Sequence, residues 1–359
     1  MKLDRNLVWI LVFTACLGYW ADRALRQDAP RRIGTVGQEL RAAAVSPDGR
    51  FVAGIRPAGK ESWTLHAWET RTGKEVLSPQ KLPHPPAPNT PLAWSPDGRT
   101  LAAGAEEAVF LYDLEKRRQI RQLKASWMVR EVRFNASGLL MARSDKAVFL
   151  WEASSGKPVW HHRQDYLLQS RLSEDGAVLA TAAFEEGIYL WSVPQRKLLR
   201  RVEPDSTPVG LEFCRQDAWL AACFRYRTQR ERDSARIYRV ADGAPTGPLL
   251  GHPHLAGFGV SRDGARLLTR TRLDCRIWEP SSGKLIHQRD ERSQRIDALS
   301  PDGIRVVTLP EGAGALTVWQ ADSGRSLATL DHPEPPRAFR FASDRLLQVV
   351  GGCCAVWEF

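Results

Sequence analysis

Eight histidines and six cysteines are the side chains in this 359-residue sequence best suited to hold a metal or attack a substrate. His84, His252, His254 and His332 each stand beside a proline, and His161 and His162 directly follow Trp160. Several imidazoles converging on one point would make a metal site. Each, however, serves equally as a turn or cap residue, and no metal is expected. The cysteines, Cys16, Cys214, Cys223, Cys275, Cys353 and Cys354, show no Cys-x-x-Cys pair and no His/Cys zinc spacing. A chain this large also has no need of a disulfide framework. There is no Gly-x-Ser-x-Gly elbow, no His-Glu-x-x-His and no phosphate loop. We therefore expect no catalytic group and no cofactor. Arginine stands out instead: Arg225, Arg227, Arg230, Arg232, Arg270, Arg272, Arg289 and Arg292 crowd into short polar stretches. They are candidate residues for binding a protein partner.

The net charge of +10 and pI near 9.5 would admit nucleic acid, acidic protein or lipid head groups as partners. Acidic residues are nevertheless interleaved throughout, and arginine outnumbers lysine along the whole chain. No single basic block results, and a nucleic-acid partner is not expected. With 43% hydrophobic and 26% charged residues, the chain can bury a sizeable core.

The N-terminus reads "MKLDRNLVWILVFTACLGYWADRALRQ", in which Lys2 and Arg5 precede an uncharged apolar run from Leu7 to Trp20. As a helix that run reaches about 21 Å, short of the roughly 30 Å hydrocarbon core. Three outcomes fit. It is an uncleaved anchor with Tyr19 and Trp20 at the interface, a lipoprotein signal in which "FTAC" presents Cys16 for lipidation, or a cleaved signal peptide ending at the small residues near Gly18. Arg23, Arg26, Arg31 and Arg32 outnumber the leading charges and would hold the domain in the cytoplasm, whereas a signal peptide would export it. We expect residues 1–26 to be a signal peptide or membrane anchor and 27–31 a linker. Residues 32–359 would then be one domain facing out of the cytoplasm, in the periplasm or at the cell surface.

These polar stretches must be positioned by something regular, and the chain supplies it. "VSPDGRFVAGI", "WSPDGRTLAAG", "LSEDGAVLATA", "VSRDGARLLTR" and "LSPDGIRVVTL" are near copies. Counting the degenerate versions, turns begin at Ser46, Ser95, Asn135, Ser173, Cys214, Ser261, Ser300 and Ala342. A second series closes each unit with an aromatic: Trp68, Tyr112, Trp151, Trp191, Tyr238, Trp278, Trp319 and Trp357. Alternating or apolar stretches flank both series, as strands do. Proline, aspartate and glycine are the residues a tight turn requires. Asn135, in "NAS", matches a glycosylation acceptor but replaces a turn serine. Each unit is thus a four-stranded antiparallel meander of roughly 40 residues that buries its faces only against its neighbours.

The chain resembles the WD40 family of β-propellers over about Arg32 to Phe359, through its repeated turn, its closing aromatics and "GH" at Gly251 and His252. The resemblance implies an all-β propeller of four-stranded antiparallel blades; the eight units fit an eight-bladed ring, and the apolar run is expected to precede it as a short hydrophobic N-terminal helix. The last unit ends after its third strand, so "RRIGTV" at Arg31 to Val36 is expected to close the ring and remove the open edge. The family's His, Ser/Thr, Asp and Trp hydrogen-bond set reads as incomplete everywhere. Unit six offers His252, Thr269 and Trp278 but has Arg272 where the aspartate would fall, so apolar packing is expected to be the main stabiliser.

In such a fold the first-to-second and third-to-fourth turns share one face, and here they read as short and uniform. The second-to-third loops and the blade links, on the other face, vary in length, as recognition loops on a rigid scaffold do. The arginines named above come from units five to seven. Glu106, Glu107, Asp165, Glu185 and Glu186 come from units two to four. Trp127, in the link "KASWMV", is either an aromatic anchor for a partner or a buried spacer. The expectation is a monomeric, membrane-tethered, non-catalytic scaffold that binds a protein partner through this face. The alternative is a small-molecule or quinone-binding enzyme using the central channel. "EASSGKPVW" resembles the docking tryptophan of quinone-dependent propeller dehydrogenases, and "GGCC" resembles their adjacent-cysteine ring.

Overall fold

The computed structural model describes residues 30–359 apart from 60–61, 83–90, 185, 204–205, 291–297, 311–313 and 352, and of Arg230 the backbone alone. The apolar run at 7–20, Cys16 and Arg292 lie outside the described residues.

The turn chemistry accounts for the period. Ser46, Ser95, Ser173, Ser261 and Ser300 each accept the backbone N–H five residues on, at 2.9 Å in every case. Each also donates its hydroxyl to the aspartate two residues on, which in turn accepts the N–H two residues beyond itself. The glycine that follows lies at φ 69° to 76°, the left-handed region it adopts without a Cβ penalty. Asn135 does the same work in its unit. Its Oδ1 accepts the Leu139 N–H at 2.8 Å, and its Nδ2 donates to the Ser173 carbonyl of the next unit at 3.0 Å. That amide is buried and bonded through both its oxygen and its nitrogen, so "NAS" is a turn and not a surface glycan acceptor.

Among the described residues the strands form eight four-stranded antiparallel sheets. Blade 1 comprises Ala42–Val45, Phe51–Pro57, Trp63–Glu69 and Glu75–Leu82, and the next six repeat that order along the chain. Blade 8 takes three strands from the C-terminus and its outer strand from Arg31–Val36, which pairs antiparallel with Cys354–Glu358. The ring is closed as the sequence suggests.

Between blades lie apolar layers. Ile55, Leu65, Leu101 and Tyr112 fill one of them, and Val307, Val318, Leu347 and Val349 another. Each aliphatic side chain so buried contributes about 1.5–3 kcal/mol. Trp94 also ties blade 2 to blade 1, its Nε1 donating to the Ala44 carbonyl at 2.9 Å.

Two expectations are corrected. The polar set of blade 6 is complete: Trp278 Nε1 donates to Thr269 Oγ1 at 2.7 Å, Thr269 Oγ1 meets His252 Nδ1 at 2.8 Å, and His252 Nε2 meets Asp274 Oδ1 at 2.9 Å. A carboxylate can only accept, so His252 carries its proton on Nε2 and takes the threonine hydroxyl on Nδ1. The aspartate is Asp274 and not residue 272, because Thr271 caps a tight turn onto it: Thr271 N–H bonds the Asp274 carbonyl at 2.9 Å. Nor are the third-to-fourth turns uniform. In blade 5 the chain from 240 to 249 carries Pro245 and Pro248, and the fourth strand shrinks to Leu250–Gly251.

Candidate interaction surface

The loop after Trp219–Arg225 is the most built of the second-to-third loops. It holds a single 3-10 turn, Arg230–Arg232, and its base is pinned by the fully buried Asp233. Asp233 accepts the Tyr226 N–H on its carboxylate at 2.7 Å and the His252 N–H on its carbonyl at 2.9 Å. From that base Arg227 and Arg232 project as exposed side chains, Arg232 with its guanidinium 4.8 Å from the Tyr226 ring centre. Arg272 is exposed at the tip of the corresponding turn in the adjacent blade 6.

The remaining arginines do different jobs. Arg225 turns inward, Nη2 donating to the Leu255 carbonyl at 3.1 Å. Arg270 is half-buried beside Gly257, where a Cβ would sit 2.8 Å from its Nε. Arg289 lies on an outer strand, Lys284–Asp290, over the Trp319 ring of the next blade. Three of the arginines are thus presented and three are packed. Of the acidic set, Glu106, Glu107, Asp165 and Glu186 are exposed, while Glu185 falls outside the described residues. Trp127 is half-buried in the link between blades 2 and 3, flanked by Lys146 and Arg163 at 5.7 Å each. It packs partly buried against the apolar layer of blades 2 and 3.

The residues that resembled a quinone enzyme pack against their neighbours. Trp160 meets Trp191 of blade 4 edge-on at 6.1 Å, and His162 lies 4.1 Å from the same indole. Cys353 and Cys354 are free, buried thiols. Burial pushes Cys354 up to about 12, and Cys353, also raised by burial, lies 3.9 Å from His332 Nε2. Among the described residues no three His, Cys, Asp or Glu side chains come together as metal ligands.

The centre of the ring holds what sequence reasoning missed. Glu131 and Arg133 of blade 3, Arg171 of blade 4 and Glu212 of blade 5 form one ion-pair cluster on the innermost strands. Glu131 meets Arg133 at 2.7 Å, Arg171 at 2.9 Å and Arg143 at 3.3 Å, and Glu212 meets Arg171 at 2.9 Å and Arg133 at 3.5 Å. Burial opposes ionisation of Glu131, but the surrounding guanidinium groups prevail and hold it at about 2. The signal was present in the chain. Arg133, Arg171, Glu212 and Arg340 each stand two residues before their unit's turn residue.

No protein-family model and no curated protein matches this chain. Solved structures do match it. The C-terminal WD40 domain of Sif2 superposes with a TM-score of 0.70 at 13% identity, covering 92% of this chain and 98% of that one. The computationally designed Ika8 protein superposes with a TM-score of 0.69 at 14% identity, covering 92% and 100%. At such identities the likeness speaks to fold alone. Together with the eight blades, the serine–aspartate–glycine turns and the ring closed by both chain ends, it gives this chain the fold of a WD40-type β-propeller.

Proposed function

We propose that this protein is a non-catalytic interaction scaffold, tethered to a membrane by its N-terminal segment, that binds an acidic protein partner through the face bearing its second-to-third loops. Propellers of this type typically serve as protein-interaction platforms. The observation that carries the reading is the anchored loop of blade 5, which presents Arg227 and Arg232 as exposed side chains, with Arg272 exposed in the corresponding turn of the adjacent blade 6. A loop pinned by a buried aspartate loses little entropy on binding, which favours affinity. The exposed acids of blades 2 to 4 give the same face a second sign and so an orientation for the partner. The channel-enzyme alternative calls for carboxylates free to ligate or to move protons, and Glu131 and Glu212 are both held by arginines.

The test is crosslinking capture from native membranes with the full-length protein. Reversing Arg227, Arg230 and Arg232 to glutamate is expected to reduce recovery of the partner at least tenfold while leaving the thermal melt unchanged. Undiminished capture by that variant removes the loop from the site.

A further inference from the structure

The innermost strands carry three guanidinium groups, from Arg133, Arg171 and Arg340, against the two carboxylates of Glu131 and Glu212. Arg133 and Arg171 each meet both carboxylates, Arg143 of the next strand also meets Glu131, and Arg133 feels Glu174 of the adjoining turn as well. Arg143 and Arg171 are spent on Glu131 and Glu212, with side chains only 12% and 13% exposed. Arg133 is 43% exposed, and Arg340, on the innermost strand Ala338–Phe341 of blade 8, is exposed as well. Arg340 has no carboxylate partner among the described residues. Its hydrogen-bond partner is Gln348 Oε1 at 3.4 Å. That amide is already committed, accepting from Val45 N–H and donating to the Ala43 carbonyl of blade 1.

The equivalent position in blades 1, 2, 6 and 7 is occupied by Ala44, Ala93, Gly259 and Ala298, so small residues flank Arg340 and leave it space. Blade 8 lies across the ring from blades 3 to 5, which places Arg340 at the same level of the channel as the cluster, near enough to feel the like charge of Arg133. Arg133 keeps 43% of its side chain open although it is ion-paired, and Arg340 is open with no carboxylate partner among the described residues, so both can turn guanidinium N–H donors toward an anion in the channel.

We propose that the central channel binds a compact divalent oxyanion, of the phosphate or small polycarboxylate type, between Arg340 and Arg133. The site is separate from the loop face and does not depend on that face binding a partner. The probe is inorganic phosphate, titrated calorimetrically into the full-length protein in detergent at constant ionic strength, with citrate as a second anion. One saturable site is expected, with citrate and phosphate competing for it. Arg340→Gln should weaken binding at least tenfold and Arg340→Lys should retain part of it, while Arg227→Glu leaves it unchanged. Absence of saturable binding by either anion, or equal affinity in Arg340→Gln, overturns the proposal. Should Arg340→Gln not fold, phenylglyoxal modification of the unaltered protein decides the matter. Phosphate is expected to protect Arg340, and modification at the same rate with and without phosphate overturns the site.

Discussion

At the scale of single residues, two histidines with similar surroundings have opposite fates. His252 is buried and fully bonded, one nitrogen to Thr269 and the other to Asp274. His162 packs on Trp191, and its buried Nε2 has no partner among the described residues. Both are depressed below the ordinary value of 6.5: His252 by burial against the pull of Asp274, His162 by burial and then by His161. A depressed histidine is neutral in the folded chain while the unfolded chain takes up the proton. Its contribution to stability is therefore complete above about pH 6.5 and is lost as pH falls toward the folded-state value. The melting temperature should accordingly be flat above pH 7 and decline as the pH falls below about 6.5. His162→Phe keeps the ring on Trp191 and removes the orphaned nitrogen. It should stabilise the protein by about 1 kcal/mol at pH 7 and flatten part of the acid decline. Melts recorded across that pH range check both effects, and a variant as acid-sensitive as the parent would show that His162 is not the group responsible.

At the scale of elements, the outer strand Arg31–Val36 joins the first and last blades. Val36 and Ile33 pack with Val350, Cys354 and Val356, and Arg32 lies over the Trp357 ring at 5.8 Å. The strand has a register shift between Arg32 and Gly34, and a Cβ at Gly34 would run into the Thr70 carbonyl oxygen. Gly34→Val should therefore push the strand off its partner, expose Val36 and lower stability by about 2–4 kcal/mol. Deleting 31–36 should cost at least as much. Denaturant unfolding measures both, and an unchanged midpoint in either would mean that the ring holds without this closure. The strand, its partner and the eight blades were all legible in the sequence because their signals are local: a serine, an aspartate and a glycine within four residues specify a turn, and the period then specifies the ring. Asp274 was not legible in its role because one tight turn, capped by Thr271, shifts it two places along. The channel cluster was missed for a different reason. Arg133, Glu212 and Arg340 alternate with apolar neighbours and Arg171 sits between Ser170 and Leu172, as on any half-exposed strand, and only ring closure brings blade 8 round to face blades 3 to 5.

At the scale of the whole molecule, where the chain ends meet sets how the propeller can be held. The closing strand begins at Arg31, so whatever precedes it enters the disc at the outer edge of blade 8 and not through a binding face. A tether in residues 1–26 would then leave both the arginine-bearing loops and the mouth of the channel unobstructed. The eight four-stranded sheets are complete from Arg31 onward. Removing residues 1–26 is therefore expected to release the protein from the membrane fraction into the soluble fraction while its melting temperature stays within about a degree of that of the full-length chain. Fractionation and a thermal melt of the two forms measure this, with the intact mass of the full-length protein reporting whether Cys16 carries lipid. Continued membrane association of the shortened chain would move the attachment from the N-terminal run to the propeller surface, where the exposed arginines Arg227, Arg232 and Arg272 would be the next groups to alter.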